Sequence, residues 1–251
     1  MRKYYTRPCN FYYGNNSKKL IKEKKALPLA GNLHIAFDQL EIFNRKKSGK
    51  IESKIYSINQ IKNLDKKIAL IIKEDINKII VKRKNILNIK FNKPQIMGIL
   101  NITPDSFSDG GLFLDKAKAF KQANLMFKSG AKIIDIGGES TRPGSKPVKA
   151  KEEWIRIKKI LSRLKKKNPG MILSLDTRKS YVMQKGIEHG VNIINDVSGL
   201  NFDKKSFSII RSNRIPLVLN HMRGTPNTMQ NNLKYSDVLL DIYDFFEKKI
   251  K

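Results

Sequence analysis

From Gln95 onward, short β-branched apolar runs alternate with longer amphipathic stretches. That alternation predicts βα units and a parallel sheet. Strands are expected at 95–100, 132–136, 171–175, 192–195 and 217–220, and helices at 115–129, 149–167, 180–189, 203–212 and 236–250. Gly130 and Gly190 stand just past two of these helices, where a left-handed C-terminal cap favours glycine. Residues before about 90 show no comparable alternation and include polar stretches at 15–25 and 44–54. Within them, 68–80 and 82–89 are expected to form a helix and a strand, or a small strand layer capping the barrel bottom.

Polar residues gather at or just after each predicted strand: Asn101, then 139–142, then Asp176, then Asn195 with Asp196, then 221–223. In a parallel α/β barrel the loops after the strand C-termini open on one face, so these clusters converge on a single mouth. That convergence is the argument, from residues alone, for an enzyme. The expected fold is therefore α/β, a (β/α)8 TIM barrel of which about five βα units are present, with an N-terminal extension of uncertain fold at 1–92 and the partial barrel at 93–251. A complete barrel takes typically ~250 residues. The stretch from Gln95 is well short of that, so three units are expected to be missing and the barrel is not expected to close from one copy.

Composition narrows the class. A hydrophobic fraction of 40% supports a folded core over disorder. The net charge of +29 raises nucleic acid as a partner. The lysines, however, are spread along the whole chain, with no zinc-finger spacing and no aromatic-basic RNA motif. They read as solvated surface, and no specific nucleic-acid partner is expected, although such a field draws in anionic small molecules. Cys9 is the single cysteine, which excludes an intrachain disulfide and a cysteine-based metal cluster. No run approaches the ~18 apolar residues of a membrane span, and the start lacks the apolar core of a signal peptide. A cytoplasmic location without a membrane partner is expected.

Two loops carry the candidate chemistry. Asn101-Ile102-Thr103-Pro104-Asp105-Ser106-Phe107-Ser108-Asp109-Gly110-Gly111 ends a strand on a neutral oxygen ligand and continues into a Pro/Ser/Gly-rich loop able to fold over a ligand. Asp135-Ile136-Gly137-Gly138-Glu139-Ser140-Thr141-Arg142-Pro143-Gly144 offers a glycine pair for close backbone approach, a hydroxyl, and a guanidinium fork suited to phosphate. Ser174-Leu175-Asp176-Thr177-Arg178-Lys179, Ile194-Asn195-Asp196-Val197-Ser198-Gly199 and His221-Met222-Arg223-Gly224-Thr225-Pro226 follow in order. With these runs, residues 94 to about 230 resemble the dihydropteroate synthase family throughout.

The resemblance implies an enzyme of folate biosynthesis that condenses 6-hydroxymethyl-7,8-dihydropterin diphosphate with 4-aminobenzoate, giving 7,8-dihydropteroate and pyrophosphate. It implies Asp176 and Asn195 as readers of the pterin edge, Thr141 as a contact to the pterin diphosphate, and Asn101 as a Mg²⁺ ligand. Asp109 and Arg142 are carried over as catalytic loop residues, and Phe107, Pro143 and Met222 as substrate-binding ones. Phe107, Asp109 and Pro143 match loop positions that enclose the aminobenzoate pocket. His221 stands where the family usually reads Met-His-Met, here with Asn220 in the first place, and is expected to serve as a structural or pocket-wall residue. His34 and His189 carry no motif and are expected at the surface. A pterin-binding methyltransferase domain is the alternative, which the two loop signatures disfavour.

Departures from the family pattern matter equally. After Gln230 the family continues with Asp-Pro-Gly-Ile-Gly-Phe-Gly-Lys, Ser-Arg-Lys and Arg-x-His segments, and none is present here. Little or no synthase activity is therefore expected of this chain alone, as a fragment or an inactive truncated synthase, with the fragment reading favoured. A homodimer is carried over for the full-length form only. The pattern Tyr5-Thr6-Arg7-Pro8 with Leu29-Ala30-Gly31-Asn32 and Phe37 resembles extensions on some bacterial members of the family.

Overall fold

The computed structural model describes residues 2–103, 112–140, 145–225, 228, 230, 231 and 234–251, with the side chains of 112–116 likewise outside the description. By their contacts these residues group into two compact units, one up to Asn85 together with Tyr235–Lys251, the other Ile86–Lys234.

The first unit begins with β1 (Tyr4–Tyr13), α1 (Gly14–Lys22), β2 (Leu27–Leu29), β3 (Asn32–Arg45), β4 (Ile51–Ser57), a 3-10 turn at Ile58–Asn63 and α2 (Lys66–Ile80). The long strand β3 is the hub of an antiparallel sheet: β1 pairs along one side of it, β2 and β4 along the other. The sheet was not legible as one because neighbouring residues of β3 are buried together. Ile42 packs in a cluster with Ile72 of α2, while the adjacent Phe43 packs with Leu240 near the chain end. Successive strand residues face opposite sides, so a sheet covered on both faces loses the in–out alternation that advertises a strand. Helix α2 includes the expected 68–80, whereas 82–89 forms no strand and shows only an isolated Ile86–Ile89 bridge.

The second unit runs β5 (Met97–Asn101), α3 (Leu112–Lys128), β6 (Ile133–Gly137), α4 (Ala150–Lys167), β7 (Ile172–Asp176), α5 (Ser180–Glu188), β8 (Ile193–Asp196), α6 (Ser206–Asn213) and β9 (Leu217–Leu219). The five strands are parallel and lie in sequence order, so each βα unit packs beside the last and the sheet is an arc of a TIM barrel. Among the described residues the arc is open, with β5 and β9 at its edges. Four of the five strands start and end a residue or two later than their predicted bounds, because the closing polar residue, as at Asn101 and Asp176, stays in the ladder. Gly130 and Gly190 take the positive φ expected after helices, at 107° and 82°.

The two faces of this arc differ. Leu100, Ile134, Ile136, Leu173, Leu175 and Ile194 pack outward against the helices, meeting Ala123 of α3, Ile157 and Leu161 of α4, Met183 of α5 and Ile210 of α6. The opposite face is layered. Ile133 closes its lower end with Ile89, flanked by Met97 and Ile172, and Ile193 joins the same cluster from the row above. Ile99, Asp135 and Ser174 are register partners in the next row, and Asn101, Gly137, Asp176 and Asn195 in the last. The concave side therefore changes from apolar to polar toward the strand C-termini.

The helix expected as the last of the barrel, 236–250, exists as α7 (Val238–Ile250), but it belongs to the first unit. Its Leu240 and Tyr243 cluster with Tyr5 and Phe43, and Asp244 accepts hydrogen bonds from Tyr5 Oη at 2.8 Å and Arg45 Nη1 at 2.6 Å. Apolar periodicity marks a helix but not the surface that receives it, and the division drawn at 92/93 with everything later in the barrel differs from the observed grouping for that reason. No described helix is long and apolar enough to cross a membrane.

Helix α5 lies close on β7: a Cβ placed on Gly186 would come within 2.3 Å of Leu175 Cδ2, in the buried core. Gly186→Ala should lower the unfolding free energy by about 1–3 kcal/mol, the usual cost of overpacking. A shift of the urea midpoint to lower concentration measures it; an unchanged midpoint would show that α5 can move away at no cost.

Candidate active site

The last row of the concave face brings the strand-end residues together. Asn101, Gly137, Asp176 and Asn195 are successive register partners across β5 to β8. Gly137 is the gap in this row. A Cβ there would lie 3.2 Å from Asn101 Oδ1 and 3.4 Å from Asp176 Oδ2, so glycine keeps both oxygens accessible across one space. Below it, Asp135 Oδ2 accepts a hydrogen bond from Asn195 Nδ2 at 2.9 Å.

Three oxygens of this group, Asp135 Oδ1, Asp176 Oδ1 and Asn195 Oδ1, are buried without a hydrogen-bond donor among the described residues. An unsatisfied buried acceptor costs about 1–3 kcal/mol, so three together mark a place built to receive N–H donors. Burial also shapes their charge. The Asp176 carboxyl is pushed up to about 7, first by desolvation and then by Asp135, Glu153, Asp196 and Glu139. Desolvation raises Asp135 too, against the opposing pull of the Asn195 amide.

Behind the mouth, acidic and basic groups are matched. Glu139, just past β6, meets Arg178 Nε at 3.1 Å and Lys179 Nζ at 2.9 Å, while Lys179 also meets Glu153 of α4 at 2.5 Å. Burial works to raise Glu139, but Arg178, the Val148 N–H and Lys179 outweigh it and hold the carboxyl below its usual range. Glu153, 0% exposed, stays raised by burial despite Lys179. Arg178 is stacked 4.1 Å from the Phe202 ring centroid. These contacts rivet the β6 and β7 ends to α4. Asp196 is occupied differently, accepting from the Ser198 N–H and hydroxyl and from the Leu200 N–H, so it folds the turn after β8.

Among the predicted site residues, the structure thus gathers Asn101, Asp176 and Asn195. Met222 and His221 follow β9 half-buried. Phe107, Asp109, Thr141, Arg142 and Pro143 lie outside the described residues. His189, expected at the surface, is half-buried, with its ring edge-on to Trp154 and centroids 4.7 Å apart. Two contributions went unread in the sequence. Asp135 interrupts the apolar run Ile133-Ile134-Asp135-Ile136, and a charge inside a buried strand was the available signal. The Glu153 partnership with Lys179 had none, since it spans 26 residues.

A raised carboxyl pKa is a stability penalty. The chain gives up stability as pH climbs from the ordinary aspartate range, where folded and unfolded Asp176 are both protonated, through about 7, where only the folded form still holds its proton. Asp176→Asn should therefore stabilise the protein by on the order of 2–4 kcal/mol near pH 8, with the gain shrinking steadily toward about pH 4. Denaturant melts across that range decide it, and a destabilised variant at all pH values would show that the carboxylate is not electrostatically strained.

The pterin binding enzyme family matches residues 97–251. Dihydropteroate synthase of Synechocystis sp. is 41% identical over 155 residues, covering 62% of this chain and 53% of the relative. That of Neisseria meningitidis serogroup B is 42% identical over 163 residues, covering 64% and 56%. Among solved structures, Yersinia pestis dihydropteroate synthase in complex with a sulfonamide drug superimposes with a TM-score of 0.61 at 37% identity, over 66% of this chain and 61% of that one. The Clostridium difficile enzyme crystallised in the presence of pteroic acid gives 0.57 at 39% identity, over 62% and 57%. The chain spans about half the length of the curated relatives it matches. With its polar row seated at the C-terminal ends of parallel barrel strands, the chain belongs to the pterin binding enzyme family.

Proposed function

We propose that this chain supplies the pterin-reading part of a cytoplasmic dihydropteroate synthase, which joins 6-hydroxymethyl-7,8-dihydropterin diphosphate to 4-aminobenzoate, with little or no turnover expected of the chain alone. The observation that carries the reading is the pair of buried acceptors Asp176 Oδ1 and Asn195 Oδ1 at the sheet's polar end, which meet no donor among the described residues. A pterin ring offers a flat edge of ring and exocyclic N–H groups, which such acceptors match, whereas an anion would be repelled by Asp135 and Asp176. The diphosphate is therefore expected to point away from them, and the family resemblance gives Thr141 as its contact.

Mg²⁺ fits the donors present. Asn101 contributes a neutral carboxamide oxygen to the space over Gly137, and the described residues hold no cluster of three acidic, histidine or cysteine ligands that would cage an ion by themselves. A cation held by one protein oxygen and the substrate's phosphates is ordinary for magnesium, and when bound it offsets charge on the departing diphosphate. The residues do the placing. Asp176 and Asn195 hold the ring, and the family resemblance assigns Phe107, Pro143 and Met222 to the aminobenzoate and Asp109 and Arg142 to catalysis. The amine nitrogen then bonds to the pterin methylene carbon as its bond to the diphosphate oxygen breaks, and the amine releases a proton. Positioning and electrostatic stabilisation suffice for such a step.

Because a ligand that donates to Asp176 binds its ionised form, affinity falls as pH drops below the raised value of about 7. Titration calorimetry with 6-hydroxymethylpterin diphosphate and Mg²⁺ should show binding roughly 20-fold weaker near pH 5.5 than near pH 7.5, and at least about tenfold weaker at the higher pH for Asp176→Asn. Absence of binding at both pH values would refute the reading, and a preference for a methylated tetrahydrofolate would assign the site to methyl transfer instead.

A further inference from the structure

Asp135 is the charged group that the reading above leaves without a task. It stands on the concave face of β6, one row below Gly137 and in register with Ser174, and is 4% exposed. An apolar residue would fill such a position at lower electrostatic cost, so what the carboxylate adds is direction. Its Oδ2 accepts from Asn195 Nδ2 at 2.9 Å, and Asn195 Oδ1 is left buried with no donor among the described residues.

A carboxamide carries a donor and an acceptor of nearly the same shape, whereas an ionised carboxylate only accepts. Facing Asp135, the Asn195 amide can therefore take one of its two orientations, with NH₂ toward the carboxylate and the carbonyl oxygen turned away. We propose that Asp135 is a positioning residue that holds the Asn195 carboxamide with its oxygen toward the ligand, so that this position accepts a pterin N–H and discriminates against a ring presenting an acceptor there. The proposal rests on Asn195 reading the pterin edge. It assigns specificity between 2-amino and 2-oxo pteridines to a residue that touches the ligand through Asn195. Discrimination of this type is steep because a mismatched acceptor leaves two buried acceptors facing each other.

The test is a double-mutant cycle on the 251-residue chain, with dissociation constants measured for 6-hydroxymethylpterin and for the lumazine that carries oxygen in place of the 2-amino group. Asp135→Asn should weaken pterin binding about tenfold and reduce the pterin-over-lumazine preference by a similar factor, because its amide accommodates either orientation of Asn195. In an Asn195→Ala background the same change should alter neither by more than about twofold. Equal effects in both backgrounds, or a preference untouched by Asp135→Asn, would overturn the proposal. Failure of the unmodified chain to bind the pterin would sink the functional reading as well, whereas binding without coupling would sink only the role of Asp135. Should Asp135→Asn not fold, the unmodified chain still decides. One side-chain amide proton of Asn195 should exchange slowly in NMR spectra with and without pterin, and rapid exchange of both would contradict the hydrogen bond.

Discussion

Uncompensated negative charge at the C-terminal end of the parallel strands is the constraint around which the barrel arc is arranged. Asp135, Glu139, Glu153, Asp176 and Asp196 all act on this region, four of them 5% exposed or less. The protein resolves part of the repulsion internally. Arg178 and Lys179 neutralise Glu139 and Glu153, and backbone amides with a hydroxyl satisfy Asp196. Asp176 and Asp135 are left over, both raised by burial, Asp176 to about 7. A ligand rich in N–H donors is the natural complement of that remainder.

The same constraint separates the tasks of the site. The carboxylate floor suits a neutral, donor-bearing ring and disfavours phosphate. In the same row stands Gly137, where the absent side chain leaves Asn101 and Asp176 facing one space. The strong positive charge of the chain as a whole, +29, is spread over helices and termini. It favours the approach of an anionic substrate without specifying how the ring is read.

Most of the barrel arc was legible in the sequence because each βα unit announces itself twice, by a β-branched run and by the amphipathic helix after it. Asn101, Asp176 and Asn195 were legible because they close such runs. What the sequence hid has physical causes. The antiparallel sheet of the first unit buries residues such as Ile42 and Phe43 on opposite faces at once, which erases period-two alternation. The helix α7 carries an apolar stripe that fits a barrel as well as a sheet, and its host shows in long-range contacts such as those of Asp244 with Tyr5 and Arg45. Lys179 and Glu153 are partners across 26 residues, a relation that no local pattern encodes.

The central claim is that Asp176 is a strained carboxylate relieved by a donor-bearing ring. Titrating the ¹³C carboxyl resonance of Asp176, first alone and then saturated with 6-hydroxymethylpterin, tests it directly. A midpoint at about 7 in the free protein, falling by at least about one pH unit on saturation, is what linkage requires of a ligand that prefers the ionised form. A midpoint in the ordinary aspartate range near about 4, unmoved by the ligand, would contradict both the strain and the recognition it is held to serve.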